Sequence, residues 1–236
     1  MNELPHHVTR QRSFKHRSVE VYEQVRADII SMRLEPGATL SESMICRMTG
    51  ASRTPVREAI IRLERENLLI VKPQQGTFVA PIYLEQVIEG HFIRESLEIS
   101  AMKKAAKNWQ PEHTLQARHF LQQQIEALEK QDFKQCFYWD TQFHNLLFSV
   151  AELAGVAYFV QQSQVHLDRV RNLTAPHEGH MQKVILEHKD IIDALEENDS
   201  SKAVKALKFH LNTVHKTLKR LMRENKNFFY QSTDIS

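Results

Sequence analysis

Four side chains able to hold a metal ion fall on apolar helical stripes in the second half of the chain: Asp140, His144, His188 and His210. Asp140 and His144 are four residues apart, so on a helix they share a face with Phe137, Leu147 and Ala151. His188 lies among Val184, Ile185, Ile191 and Leu195, and His210 among Ala203, Leu207, Val214 and Leu218. Burying an ionisable group is costly unless something pairs with it, and one divalent cation satisfies all four together. A lone histidine on an apolar face is ordinarily a hydrogen-bonded core residue, whereas three such faces plus an aspartate favour a metal site. Three imidazoles and a carboxylate suit Zn²⁺, Ni²⁺, Fe²⁺ or Mn²⁺, and softness argues against Ca²⁺ or Mg²⁺. The expectation is one divalent transition metal per chain, with Zn²⁺ the first choice. Coordination positions beyond four would hold water that a carboxylate-bearing metabolite can displace.

A second constellation lies in the first third, at Ser52-Arg53-Thr54-Pro55-Val56-Arg57-Glu58. Pro55 suits a first helical turn, whose amides lack intrahelical partners. A cation at Arg53 opposes the helix dipole there, so something outside the helix must favour it. A DNA major groove is such a partner, because recognition helices enter it N-terminus first and arginine grips guanine O6 and N7 with two hydrogen bonds. Arg53 and Arg57 lie one turn apart on one face. Ser52 and Thr54 can reach phosphate oxygens, and Gly76 lets a backbone approach a groove closely. The alternative is a solvated charged face.

The elements that carry these residues differ between the two halves. Residues 1 to 17 are polar and basic without apolar periodicity, which predicts a flexible tail in which Arg10, Arg12, Lys15 and Arg17 could touch phosphates. From Ser18 the spacing of Val21, Tyr22, Val25, Ile29 and Met32 predicts a helix, closed by Pro36-Gly37. Ser41 can cap a short second helix through Met48, and a third runs from Ser52 to about Asn67. Leu68 to Val71 and Thr77 to Val79 then read as a hairpin with Gly76 at its tip. Helix, helix, helix and hairpin over residues 18–80 make a winged helix-turn-helix. After a linker at 81–83, helical periodicity continues to residue 228, broken near Pro111, Asp132, Gly155, Pro176 and Asp199. That predicts about six helices in an all-α domain, followed by a tail at 229–236. The fold class is mainly α.

Composition fits this division. The chain has 236 residues, 42% hydrophobic and 25% charged, enough to bury a core in each of two domains. The net charge of +2 hides an asymmetry: residues 1–80 hold 12 Lys/Arg against 9 Asp/Glu, and residues 81–236 hold 19 against 20. The excess cation therefore sits at the end expected to meet nucleic acid. Cys46 and Cys136 are the only cysteines and fall in different predicted domains, which argues against a disulfide framework or a cysteine-based zinc site. No run of about 18 uncharged apolar residues exists, and the N-terminus has no secretory apolar core, so a cytoplasmic protein without membrane contact is expected.

These motifs resemble a known family. Leu34-Glu35-Pro36-Gly37, Leu40-Ser41-Glu42, Ser52 to Ala59 and Gln75 to Val79 are similar to the DNA-binding head of GntR-family bacterial repressors. The resemblance implies that Arg53 and Arg57 read bases, that Thr54 contacts DNA and that Gly76 enters the minor groove. This chain departs at Ser43, where some members carry a third DNA-contacting arginine. Asp140-x-x-x-His144, His188 and His210 resemble the effector domain of the fatty-acid-regulator subfamily, the FCD fold, an antiparallel helical bundle in which a metal sits above a cavity for small organic acids. Members that bind fatty acyl-CoA usually lack this Asp and three His, so an acyl-CoA effector is not expected. Arg94 matches an arginine that can pair with a ligand carboxylate, its alternative being a pair with Glu98, and Arg171 is a weaker second candidate.

The expected protein is a homodimeric transcription factor, a repressor in the first instance. It binds double-stranded operator DNA through two heads and responds to a small organic acid at the metal chamber. One alternative is a regulator for which the metal itself is the signal. Another is a metal-dependent hydrolase, disfavoured because Glu187, next to His188, points about 100° away from it on a helix and is poorly placed as a base. His177-Glu178-Gly179-His180 has its histidines three apart rather than the four of a zinc-protease motif. His166 is assigned to core packing.

Overall fold

The computed structural model describes residues 6–231, with side chains from His16 onward except at 215 and 216. Two compact units divide the chain, Met1–Ile82 with the segment from Asn227 in one, and Tyr83–Lys226 in the other.

The first unit is built from α1 (His6–Ile30), α2 (Glu42–Thr49), α3 (Arg53–Arg65), β1 (Leu69–Lys72) and β2 (Gly76–Val79). The stripe Val21, Tyr22, Val25 and Ile29 buries one face of α1, and Ile45, Val56, Ile60 and Leu63 bring α2 and α3 into the same core. Each buried aliphatic side chain contributes roughly 1.5–3 kcal/mol. Ser41 caps α2 as expected, accepting the Met44 N–H at 3.2 Å. Gly50 ends the helix at φ +65°, a left-handed turn that places α3 across α2. The antiparallel β1–β2 hairpin pairs Leu69 with Val79 and Lys72 with Gly76.

Three expectations need correction here. α1 begins at His6, so the segment from His6 to Arg17 is helical instead of a tail; residues 1–5, and the side chains of Arg10, Arg12 and Lys15 with their expected phosphate contacts, lie outside the described residues. Arg17 donates to the Thr49 carbonyl at 2.8 Å, a bond that occupies the end of α2 rather than a phosphate. Gly76 is the first residue of β2, one step past a tip formed by Pro73, Gln74 and Gln75. At the other end, Ile82–Tyr83 (β3) and Phe229–Tyr230 (β4) pair as a second small sheet where a linker and a tail were expected. Residues 232–236 of that tail lie outside the described residues.

Seven helices form the second unit among the described residues: α4 (Leu84–Asn108), α5 (Pro111–Glu129), α6 (Phe133–Val150), α7 (Ala154–Ser163), α8 (Val165–Thr174), α9 (His180–Glu196) and α10 (Ser200–Glu224). Short turns join α5 to α6 and α9 to α10, so each pair packs antiparallel. Gln131 and Asn198 take left-handed φ values in these turns, and Asp132 and Asp199 then cap the next helix by accepting the Gln135 and Lys202 N–H groups. Met102, Phe143, Leu147, Phe148, Ile191, Leu195 and Leu207 fill the core. The seventh helix comes from a break at Gln164, within a segment read as one helix. Gly90 of α4 lies against that break, where an added Cβ would stand 2.6 Å from the Ser163 carbonyl oxygen. Glycine thus lets α4 pass close to an exposed carbonyl end.

Candidate metal centre and nucleic-acid interface

Asp140 and His144 project from α6, His188 from α9 and His210 from α10, and all four are buried. One donor atom from each lies within 4.8 Å of the others. His188 Nε2 stands 3.3 Å from His210 Nε2 and 3.6 Å from Asp140 Oδ1. His144 Nε2 and Asp140 Oδ1 are buried without a hydrogen-bond partner. An orphaned nitrogen and oxygen, converging with two more nitrogens, fit a divalent transition metal.

Each imidazole is held from behind. His144 Nδ1 meets Glu98 Oε2 at 2.7 Å, His188 Nδ1 meets Gln124 Oε1 at 2.9 Å, and His210 Nδ1 meets Glu187 Oε2 at 3.0 Å. Acceptors at Nδ1 place the proton there and leave Nε2 as a lone pair aimed at the common centre. Asp140 is held in the same way, its Oδ2 accepting from Arg171 Nη2 at 2.5 Å. Of these partners only Arg171 was singled out in the sequence, as an effector residue rather than a support for Asp140. Glu98 was noted only beside Arg94, and Glu187 only as a candidate base. The readable signal was Gln124, a polar residue on the Ala117, Leu121, Ala127 stripe of α5.

The electrostatics suit ligation. Burial works against ionisation of Asp140, but the guanidinium groups, Arg171 first and then Arg94, overcome it and hold the carboxyl well below its usual range. Burial, reinforced by neighbouring cationic and imidazole groups, pushes His188 and His210 well below the usual histidine range, so both are neutral at pH 7. Burial also disfavours the Glu98 anion, yet Arg94 and His144 keep it ionised.

Beside the donors lies a cavity of about 40 Å³, with Arg94, Arg171, His91, His180, Thr174 and Thr213 in its walls along with Asp140 and His210. The two effector candidates are therefore brought together, but each already holds a carboxylate. Arg94 Nε donates to Glu98 Oε1 at 2.7 Å, and Arg171 Nη1 donates to Asp168 Oδ1 at 2.9 Å in addition to its bond with Asp140. His166 is buried as expected, and its Nδ1 accepts the Tyr83 N–H at 3.3 Å.

In the first unit, Ser52, Arg53, Thr54 and Arg57 are exposed along the first turns of α3. Ser52 occupies the N-cap position without a side-chain capping bond, so the helix start retains unsatisfied N–H groups. Arg57 Nε donates to Glu42 Oε1 at 2.9 Å. Gly76 is exposed with φ +123°, a conformation that favours glycine.

Residues 17–79 match the bacterial regulatory proteins of the gntR family, and residues 89–213 match the FCD domain. This chain belongs to the gntR family and carries an FCD domain. It is 30% identical over 210 residues to the HTH-type transcriptional repressor RspR of Escherichia coli (strain K12), covering 89% of this chain and 92% of that protein. An uncharacterised HTH-type regulator of Streptomyces ambofaciens is 30% identical over 89% of this chain and 88% of its own length. Among solved structures, E. coli McbR/YncC superposes with a TM-score of 0.72 at 22% identity, over 88% of this chain and 98% of that one. A putative GntR regulator from Rhodococcus sp. RHA1 gives 0.72 at 23%, over 86% and 98%. The protein is therefore a DNA-binding transcriptional regulator, and its families and relatives are regulators rather than enzymes. The geometry agrees, since Glu187 is bonded to His210 Nδ1, behind the ring from the donor cluster. No helix among the described residues is long and apolar enough to cross a membrane.

Proposed function

We propose that this regulator is a homodimeric repressor whose operator binding is modulated by a small carboxylate held at a divalent metal, Zn²⁺ in the first instance, by Asp140, His144, His188 and His210. The observation that carries the reading is the trio of imidazoles, each fixed through Nδ1 so that its Nε2 faces one buried point. A bound ion supplies a Lewis-acidic position beside the cavity. It is also the positive charge the cavity otherwise lacks, because Arg94 and Arg171 are already matched by Glu98, Asp140 and Asp168. The burial of all four donors supports a resident ion over one that exchanges as a signal.

In the DNA-binding head, Arg53 and Arg57 read base edges, Ser52 and Thr54 contact phosphates and Gly76 brings the wing backbone into a groove. Their exposure and the uncapped start of α3 support this assignment. The repressor named among the relatives supports repression. An acid can alter DNA affinity only by binding the released and DNA-competent states unequally, and moving the balance from mostly one to mostly the other takes roughly 5 kcal/mol. α8 supports this reading, since it carries Arg171 in the cavity wall and His166 on the Tyr83 backbone at the start of the effector unit. Operator binding by the zinc-loaded protein, titrated with a panel of di- and hydroxycarboxylates, tests the proposal. Release by an acid from metal-loaded but not chelator-treated protein supports it, and indifference to every acid in both forms sinks it.

A further inference from the structure

Glu42 is an anion in the part of the molecule that has to approach DNA phosphates. Such a charge opposes binding unless it does something else. Part of the reason is local, because an acid in the first turn of α2 favours the helix dipole. That accounts for a carboxylate at this position but not for its bond to the neighbouring helix. Glu42 Oε1 accepts from Arg57 Nε at 2.9 Å, tying the start of α2 to the recognition helix across 15 residues of sequence. The guanidinium is a planar fork, and fixing Nε fixes the plane and the direction of its far edge. Nη1 and Nη2 form that edge and make no hydrogen bond among the described residues, while the Arg57 side chain remains 61% exposed. This edge is the one a bidentate grip on guanine O6 and N7 uses.

We propose that Glu42 is a positioning residue for operator recognition, holding Arg57 by Nε so that its two Nη groups present a preset edge to a guanine. The inference rests on the reading that Arg57 contacts a base. Glu42 thereby raises specificity through the lost freedom of one long side chain, and it lowers affinity for unselected DNA by placing a negative charge near the backbone. The two effects have opposite signs, which separates this role from a stabilising ion pair.

The test uses full-length, metal-replete protein and two duplexes of equal length, one recovered by the wild type from a randomised pool and one with the same bases scrambled. Affinities are measured at one fixed salt concentration. Glu42→Ala is expected to bind the selected duplex about tenfold more weakly while holding the scrambled one as tightly as wild type or more so. Glu42→Gln keeps an acceptor for Nε and is expected to retain most of the discrimination. In an Arg57→Ala background, removing Glu42 should cost no further discrimination. An unchanged thermal midpoint and helical content verify the fold of each variant. If Glu42→Ala changes both affinities by the same factor, in either direction, the positioning role is overturned. Repeating the pool selection with each variant separates the two layers. Arg57→Ala retaining every wild-type base preference overturns the base-reading role and the inference with it. Lost preference in Arg57→Ala but not in Glu42→Ala overturns the inference alone.

Discussion

His188 Nε2 and His210 Nε2 face each other across 3.3 Å, with ring centroids 4.6 Å apart. Both rings are engaged on their other side, His188 by Gln124 and His210 by Glu187. With the protons on Nδ1, the two inward atoms are lone pairs pointing at each other, with the Asp140 carboxylate alongside. Such an arrangement is repulsive by itself and becomes favourable around a cation. The outer hydrogen bonds therefore matter as much as the donors, since they decide which nitrogen faces in.

Gln124→Ala should weaken zinc binding by roughly 10–100-fold while leaving the helical fold intact, because it frees His188 to turn or change tautomer. Competition with a chromophoric chelator measures this, and equal affinities for variant and wild type would show that Gln124 does not orient the site.

The metal-free protein should lose stability as pH falls from 7.5 to 5.5. Burial sets His188 and His210 well below the ordinary value of about 6.5, so below that pH the unfolded chain binds protons that the folded chain resists. Their contribution is fully present above about 6.5 and is lost as pH drops towards the depressed folded values. Asp140 is depressed from 3.8 and contributes its own loss only at lower pH, outside this window. Urea midpoints of apoprotein at the two pH values test the sign. A midpoint that rises on acidification would contradict it.

Arg171→Lys retains a charge but loses the two-nitrogen fork that holds Asp140 and Asp168 separately. The acid found to stabilise the zinc-loaded wild type should bind the variant at least about tenfold more weakly, or roughly 1.4 kcal/mol. Calorimetric titration is the check, and undiminished affinity would remove Arg171 from the effector site.

Gly90→Ala should destabilise the effector unit by about 1–3 kcal/mol, since the new methyl group meets the Ser163 carbonyl and backbone must move. Thermal unfolding reads this directly. A variant as stable as wild type would mean that α4 and the break at Gln164 shift apart at no cost.

The legible parts of this molecule were those with local signals. Ser41 and Gly50 bound α2, and Asp132 and Asp199 cap α6 and α10, because turn and cap chemistry is written in adjacent residues. The four donors were legible because each placed a polar atom where the helical period called for an apolar one. Gln124 carried that signal as well, but an amide has no strong metal-ligand identity and was passed over. The break at Gln164 has no proline or glycine of its own, and the residue packed against it, Gly90, is distant in sequence. β4 could not be read from two residues whose partner strand lies far back along the chain. The Glu42–Arg57 bond likewise joins positions that only the crossing of α2 and α3 brings together.

Elemental analysis of the purified regulator and of His188→Ala, by plasma mass spectrometry after gel filtration, bears most directly on the buried centre. The wild type should carry about one divalent transition metal per chain, and the variant well below that at equal helical content. Metal absent from both, or bound equally by both, would contradict a site built on Asp140, His144, His188 and His210.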